Sequence, residues 1–349
     1  MSFIQSLAVI TLASWWVMMV SSECLHLDPA YSLPASYEHV DPPGTEFRNL
    51  CVTFLSTPSD EKKANITRET LFINTQHLDC DWLILFYSVT SITMKDELCQ
   101  GARISSMQKF HMDRVLCCDE ASYIRNSSAY ISNHIQNITE LQSLGYDISA
   151  QQRVVKPIMY IDILYYLVHM HSYRRVLLMD SDIDFQNFDF KKGMFLWKNA
   201  STPSPLLVQP VMDGVSKIKT SRWNFWRIHK KLDKPSYLYP FVEQGSPFFD
   251  ARFFKWFMLT VIRGNTLPYH MAIQSDYGYD SIWCNAAHYF GSKYLGYSNY
   301  STSCAVLIAS GPSIHRDTRT LGKNDVFRGM SRVVVDYYRK CYGEWYRPF

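Results

Sequence analysis

The sequence predicts an α/β fold built around one central, mostly parallel sheet. Three observations carry that expectation: short apolar runs ending near polar or turn residues, helical patterns between them, and a composition able to fill a large core. The runs are LCVTFL (50–55), WLILFY (82–87), RVLCC (114–118) and RVLLM (175–179), and helical patterns cover Arg68 to Leu78 and Val154 to Met170. Of 349 residues, 47% are hydrophobic and 15% aromatic, which excludes a disordered chain, collagen and a small disulfide knot. Lys and Arg number 35 against 32 Asp and Glu, a net charge of +3 with no long basic run, so nucleic acid is not an expected partner.

At the amino end, an apolar stretch from Leu7 to Val20 is followed by Val20-Ser21-Ser22, which suits cleavage before Glu23. No Lys or Arg precedes it. Residues 1–22 are therefore expected to be a signal peptide or a retained signal anchor, and only the anchor would hold the protein to a membrane. Either form delivers the rest of the chain to the secretory lumen, for residence in the Golgi or endoplasmic reticulum or for secretion. Five Asn-x-Ser/Thr triplets, at Asn65, Asn126, Asn137, Asn199 and Asn299, agree with that route and would carry N-glycans.

The nine cysteines show no CxxC spacing, which disfavours zinc and points to disulfides in an oxidising lumen. Cys284 and Cys304 are expected to pair, because they lie on adjacent elements. Residues 23–46, with Pro29, Pro34, Pro42, Pro43 and Gly44, read as a stem. Residues 47–323 form the main domain. In the tail, 324–349, Val326 to Tyr342 fits an amphipathic helix.

The segment RVLLMDSDIDF (175–185) is the most informative. An apolar strand delivers Asp180, Asp182 and Asp184 at its carboxyl end, where α/β sheets bind ligands. In a continuing strand all three project to one side. Like charges so placed raise one another's pKa unless a cation neutralises them, and carboxylate oxygens suit Mg2+ or Mn2+. Mg2+ completes its shell with substrate phosphates, which makes a nucleotide diphosphate a natural partner. The simpler alternative is an acidic solvated turn.

Two further constellations follow. In QSDYGYDSIWCNAAHYFG (274–291), Asp276 and Asp280 precede a helix-like stretch, where a carboxylate stays ionised as a general base should; plain N-capping by Ser275 or Asp276 is the alternative. In CAVLIASGPSIHRDTRTLG (304–322), a buried strand and a Gly-Pro turn lead to His315, which can complete a metal site, contact a phosphate or be structural.

In order and spacing these segments resemble metal-dependent glycosyltransferases of the GT-A fold. DSD (180–182), YGYD (277–280) and SIHRDTRTLG (313–322) match that order. A plant-rich family labelled lysine-ketoglutarate-reductase trans-splicing related is similar in particular, through VEQGSPFF (242–249), YGYD, and His315 with Leu321-Gly322. A Lys at the start of the helix before the DxD strand corresponds to Lys156.

The resemblance implies a nucleotide-binding half and an acceptor half around one sheet, with 47–323 as the catalytic domain. It implies that Asp180 contacts ribose or metal, that Asp182 binds Mn2+ or Mg2+, and that His315 is a further metal or phosphate ligand. Lys156 would contact the diphosphate, Glu243 would line the acceptor pocket, and Asp280 would bind or deprotonate the acceptor hydroxyl. The partners would be a nucleotide-sugar donor and a glycan or protein acceptor. Two other readings stay open: a haloacid-dehalogenase-type phosphatase with Asp180 as nucleophile, and a secreted sugar- or nucleotide-binding protein without turnover.

Overall fold

The computed structural model describes residues 48–110, 114–118, 173–213, 234–239, 241–266, 278–298 and 303–316, with parts of 156–163 and 334–343. Each of the four apolar runs is a strand: β1 (Arg48–Ser56), β2 (Asp81–Ser88), β3 (Val115–Cys118) and β4 (Tyr173–Asp180). Helix α1 (Glu61–His77) joins β1 to β2, and α2 (Ile92–Phe110) joins β2 to β3. After β4 come β5 (Ile183–Asp184), α3 (Phe190–Asn199), β6 (Leu207–Pro210), β7 (Met212–Asp213), β8 (Ser236–Leu238) and β9 (Phe248–Asp250). Next are α4 (Ala251–Trp256), a π-helical continuation (Phe257–Thr266), a 3-10 turn (Tyr279–Ser281), α5 (Trp283–Tyr294), β10 (Cys304–Leu307) and β11 (Ser313–His315).

Among the described residues the main sheet has eight strands in the order β3-β2-β1-β4-β9-β6-β10-β8, and a second sheet has the order β5-β11-β7. Pairings β1–β2, β1–β4, β2–β3 and β6–β10 are parallel, while β9 and β8 run against their neighbours. The expected α/β architecture with a mostly parallel sheet is the observed one. The middles of β1, β2 and β4 are largely apolar because both faces are covered there. Val176 and Leu178 enter one buried cluster with Phe253, Trp256, Trp283 and Phe290. Leu177 and Met179 enter the other with Leu71, Leu98 and Trp197.

Helix α1 begins earlier than its apolar pattern suggests. The Asp60 side chain accepts a hydrogen bond from Lys63 N at 2.9 Å and caps the helix, so the exposed polar turn before Arg68 is helical too. Cys284 and Cys304 are bonded as expected, and Cys51–Cys80 and Cys99–Cys117 are bonded as well. The segments at 1–46, Leu321-Gly322, and the triplets at Asn126, Asn137 and Asn299 lie outside the described residues, as does most of the helix expected at 154–170. Of the tail, residues 334–336 and 338–342 are helical.

Gly311, in the turn between β10 and β11, has φ of 86°. A Cβ there would come within 1.9 Å of the Asn187 carbonyl oxygen, a backbone atom that cannot swing aside. Gly311→Ala is therefore expected to destabilise the chain by more than about 1 kcal/mol, read as a lowered urea midpoint, since the substitution is stabilising only where the backbone accepts it. An unchanged midpoint would mean that the turn is not built as described.

Candidate active site

The strand order reverses at β1, which has β2 on one side and β4 on the other, and this opens a crevice beyond their carboxyl ends. On the β1 side the buried Thr57 hydroxyl accepts hydrogen bonds from Thr90 N at 2.6 Å and Ser91 N at 3.0 Å, which ties the ends of β1 and β2 together. On the β4 side the strand ends at Asp180 and the chain turns at Ser181–Asp182 before entering β5. Pairing of β5 with β11 sets His315 opposite Ile183. That register brings His315 Nε2 to 3.5 Å from Asp182 Oδ2, while Arg316 N donates to Asp182 O at 2.8 Å. Lys156 Nζ donates to Asp180 Oδ1 at 2.5 Å. Burial first, and the neighbouring Asp180 charge second, push Asp182 up to about 6, against the opposing pull of His315 and Lys156.

Asp184 does not join this group, contrary to the expectation that the three aspartates project together. The turn at Ser181–Asp182 breaks the period-two alternation on which that expectation stood. Asp184 is fully buried, and its Oδ2 accepts from both Nε (2.8 Å) and a terminal nitrogen of Arg316. Its Oδ1 accepts from Gln186 N at 2.6 Å. The pair is a structural clamp between β5, which follows Asp182, and the end of β11, which carries His315.

Among the described residues no three His, Cys, Asp or Glu side chains converge closely enough to hold a metal ion by themselves. The converging pair of Asp182 and His315 fits a divalent cation that takes few protein ligands and fills its shell with phosphate oxygens. Asp180, paired with Lys156, lies beside them.

The segment from Glu243 to Pro247 runs along the end of β4, with Gly245 O accepting from Asp180 N at 3.0 Å and Pro247 O accepting from Leu178 N at 3.0 Å. Glu243 N donates to the side-chain oxygen of Gln209, a fully buried residue of β6. The Glu243 residue keeps partial exposure, yet its Oε2 is buried without a hydrogen-bond partner among the described residues. Desolvation above all, then the charges of Asp280 and Asp180, push this carboxyl up to about 8. Asp280 stands in the 3-10 turn two residues before Ile282, and Ile282, not a capping Ser or Asp, is the N-cap of α5. Asp276 and Tyr277 lie outside the described residues.

A raised carboxyl pKa means that the folded chain holds a proton which the unfolded chain has already released. Stability therefore falls as pH rises from about 4.5 to about 8, by up to about 1.4 kcal/mol per pH unit from this group. Glu243→Gln is expected to flatten that descent in urea unfolding measured across the interval. An unchanged slope would show that the carboxyl is not desolvated.

Three positioning residues escape the sequence patterns. Asn74 on α1 donates to Ile183 O at 2.7 Å and accepts from Phe185 N at 2.9 Å, which holds the backbone that follows Asp182. Arg316 and Gln209 act on Asp184 and the Glu243 backbone as described. Arg316 directly follows His315, a faint signal, but nothing in the sequence marks Asn74 or Gln209.

No family model and no curated protein matches the chain. Among solved structures, glucosyl-3-phosphoglycerate synthase of M. tuberculosis is similar at 12% identity and a TM-score of 0.37, over 85% of this chain and 81% of that one. GalNAc-T7, solved with UDP, GalNAc and Mn2+, is similar at 11% identity and a TM-score of 0.42, over 85% of this chain and 50% of that one, so the likeness spans half of that protein. LgtC is similar at 10% identity and a TM-score of 0.34, over 81% of this chain and 95% of that one.

Proposed function

We propose that this chain is a metal-dependent glycosyltransferase of GT-A type that moves a sugar from a nucleotide-sugar donor to a glycan or protein acceptor. The observation that carries the reading is the meeting of two pairs, Lys156–Asp180 and Asp182–His315, at the carboxyl end of β4 beside the switch-point crevice. Lys156 supplies a positive charge to a diphosphate, and Asp180 holds that ammonium in place. Asp182 and His315 are the residues that would hold Mn2+ or Mg2+, whose chemistry when bound is Lewis-acid stabilisation of a diphosphate leaving group. The charge of Asp182, costly where it is buried next to Asp180, is the kind that such a cation compensates.

On the acceptor side, Glu243 keeps its proton at neutral pH and serves as a hydrogen-bond donor to a sugar or hydroxyl oxygen. Asp280, close enough to Glu243 to raise it, takes the role of binding or deprotonating the acceptor hydroxyl. Secretory-lumen residence is supported by the apolar segment at 1–22, by the disulfides Cys51–Cys80, Cys99–Cys117 and Cys284–Cys304, and by the exposure of Asn65 and Asn199. The resemblance to the trans-splicing-related family rests on the shared motifs alone.

The test is a screen of nucleotide sugars for Mn2+-dependent hydrolysis and thermal stabilisation of the chain. Turnover of a nucleotide sugar supports the transferase. Stabilisation by nucleotide and Mn2+ without turnover of any donor favours a binding protein, and trapping of a phosphoryl group on Asp180 favours a phosphatase.

A further inference from the structure

A cavity of about 420 Å3 lies at the amino end of β4, about 16 Å along the strand from Asp180, the run from Arg175 to Asp180 at about 3.3 Å per residue. Its volume falls within the range of small-ligand sites. The lining is cationic: Arg174 and Arg175 from β4, Lys198 from α3 and Arg252 from α4 face a single carboxylate, Asp250. That carboxylate is already engaged, because Arg252 grips it with two nitrogens at 2.9 and 3.0 Å. Arg175 instead lies with its guanidinium carbon 4.9 Å from the Trp197 ring centroid and one nitrogen 3.5 Å from Met194 Sδ. Among the described residues no carboxylate forms an ion pair with Arg175.

We propose that this cavity binds a small phosphate monoester, with the phosphate between Arg175 and Lys198 and the organic part in the remaining volume. The site is distinct from the proposed donor site and independent of it. A dianion lowers the energy of a cluster in which cations outnumber carboxylates, and a forked guanidinium matches its oxygens. Burial first and the Arg174 charge second pull Arg175 down to about 10, against the opposing charge of Asp250, so the one carboxylate of the lining does not offset the buried cations. A free phosphate ion presents the same oxygens, and the two sources are separated by the volume they use.

The experiment is isothermal titration calorimetry of the full chain in phosphate-free buffer with glucose 6-phosphate, inorganic phosphate and glucose as probes. Glucose 6-phosphate is expected to bind, glucose to give no heat, and Lys198→Glu to weaken the phosphate ester at least tenfold. Lys198 is exposed in the last turn of its helix, so this variant stays folded with a midpoint only slightly lowered, and it should leave nucleotide diphosphate binding with Mn2+ unchanged. Arg175→Gln is expected to weaken the ester in the same way. The proposal is overturned by absence of heat from glucose 6-phosphate, by binding that both variants leave intact, or by inorganic phosphate binding as tightly as the ester, which would make the cavity a site for the free ion.

Discussion

Asp182→Ala is expected to abolish Mn2+-dependent binding of a nucleoside diphosphate while leaving the protein folded and slightly more stable. Loss of a residue that only supports a ligand already costs about 10–100-fold in metal affinity, so loss of a proposed ligand should reach at least the upper end. Stability moves the other way. Asp182 titrates at about 6 because burial and Asp180 disfavour its charged form. Between about 3.8 and 6 the folded chain holds a proton that the unfolded chain has lost, so this side chain costs stability increasingly as pH rises and fully above 6. Removing it should return roughly 1–3 kcal/mol at pH 7 in the absence of metal. Calorimetric titration and urea unfolding of the same preparation read both effects. A variant that loses stability together with affinity would place Asp182 among the structural residues, and unchanged affinity would remove it from the metal site.

Arg316→Met is expected to be the most destabilising single change at the site. Asp184 is fully buried, and Arg316 is its charged partner through two nitrogens. Taking away one member of such a pair leaves an uncompensated buried charge, at a cost of about 3–5 kcal/mol. Because the pair ties β5 to β11, nucleotide affinity should fall as well through a displaced His315. Asp184→Asn, which removes the charge and keeps the shape, should cost less, and the double variant should cost less than the sum of the two. A urea midpoint for Arg316→Met within error of the parent would show that the pair carries no stability.

Much of the β1–β4 half of the sheet is legible from residues alone, because a strand covered on both faces is apolar where it is covered and stops where charge begins. WLILFY and RVLLM have that form, and each matches a strand to within two residues at either end. The later strands β6, β8 and β9 are only three or four residues long and hold Gln209, Pro210 and Ser236, so their apolar signal is too short to read. At the site, Asp180, Asp182 and His315 are readable as acidic and basic groups after strand ends. Asp184 departs from the two-residue period because the turn at Ser181–Asp182 interrupts it. The partnership of Asp184 with Arg316 spans 132 residues and leaves no trace in local spacing. Glu243 was legible only as part of a motif, and its high pKa depends on a burial that the sequence does not display.

The carboxamide of Asn74 has a consequence for what may stand at that position. It donates a hydrogen bond to the Ile183 carbonyl in β5 and accepts one from the Phe185 amide just after that strand. Among the encoded side chains, only amides carry a donor nitrogen and an acceptor oxygen on one carbon, and glutamine overshoots by a methylene. The aspartate isostere would set an anion against a carbonyl oxygen, and leucine would strand both backbone groups in a dry interior. Position 74 is thus restricted to a single letter by an architectural duty, and that restriction would persist in a descendant that had lost Asp182 and His315.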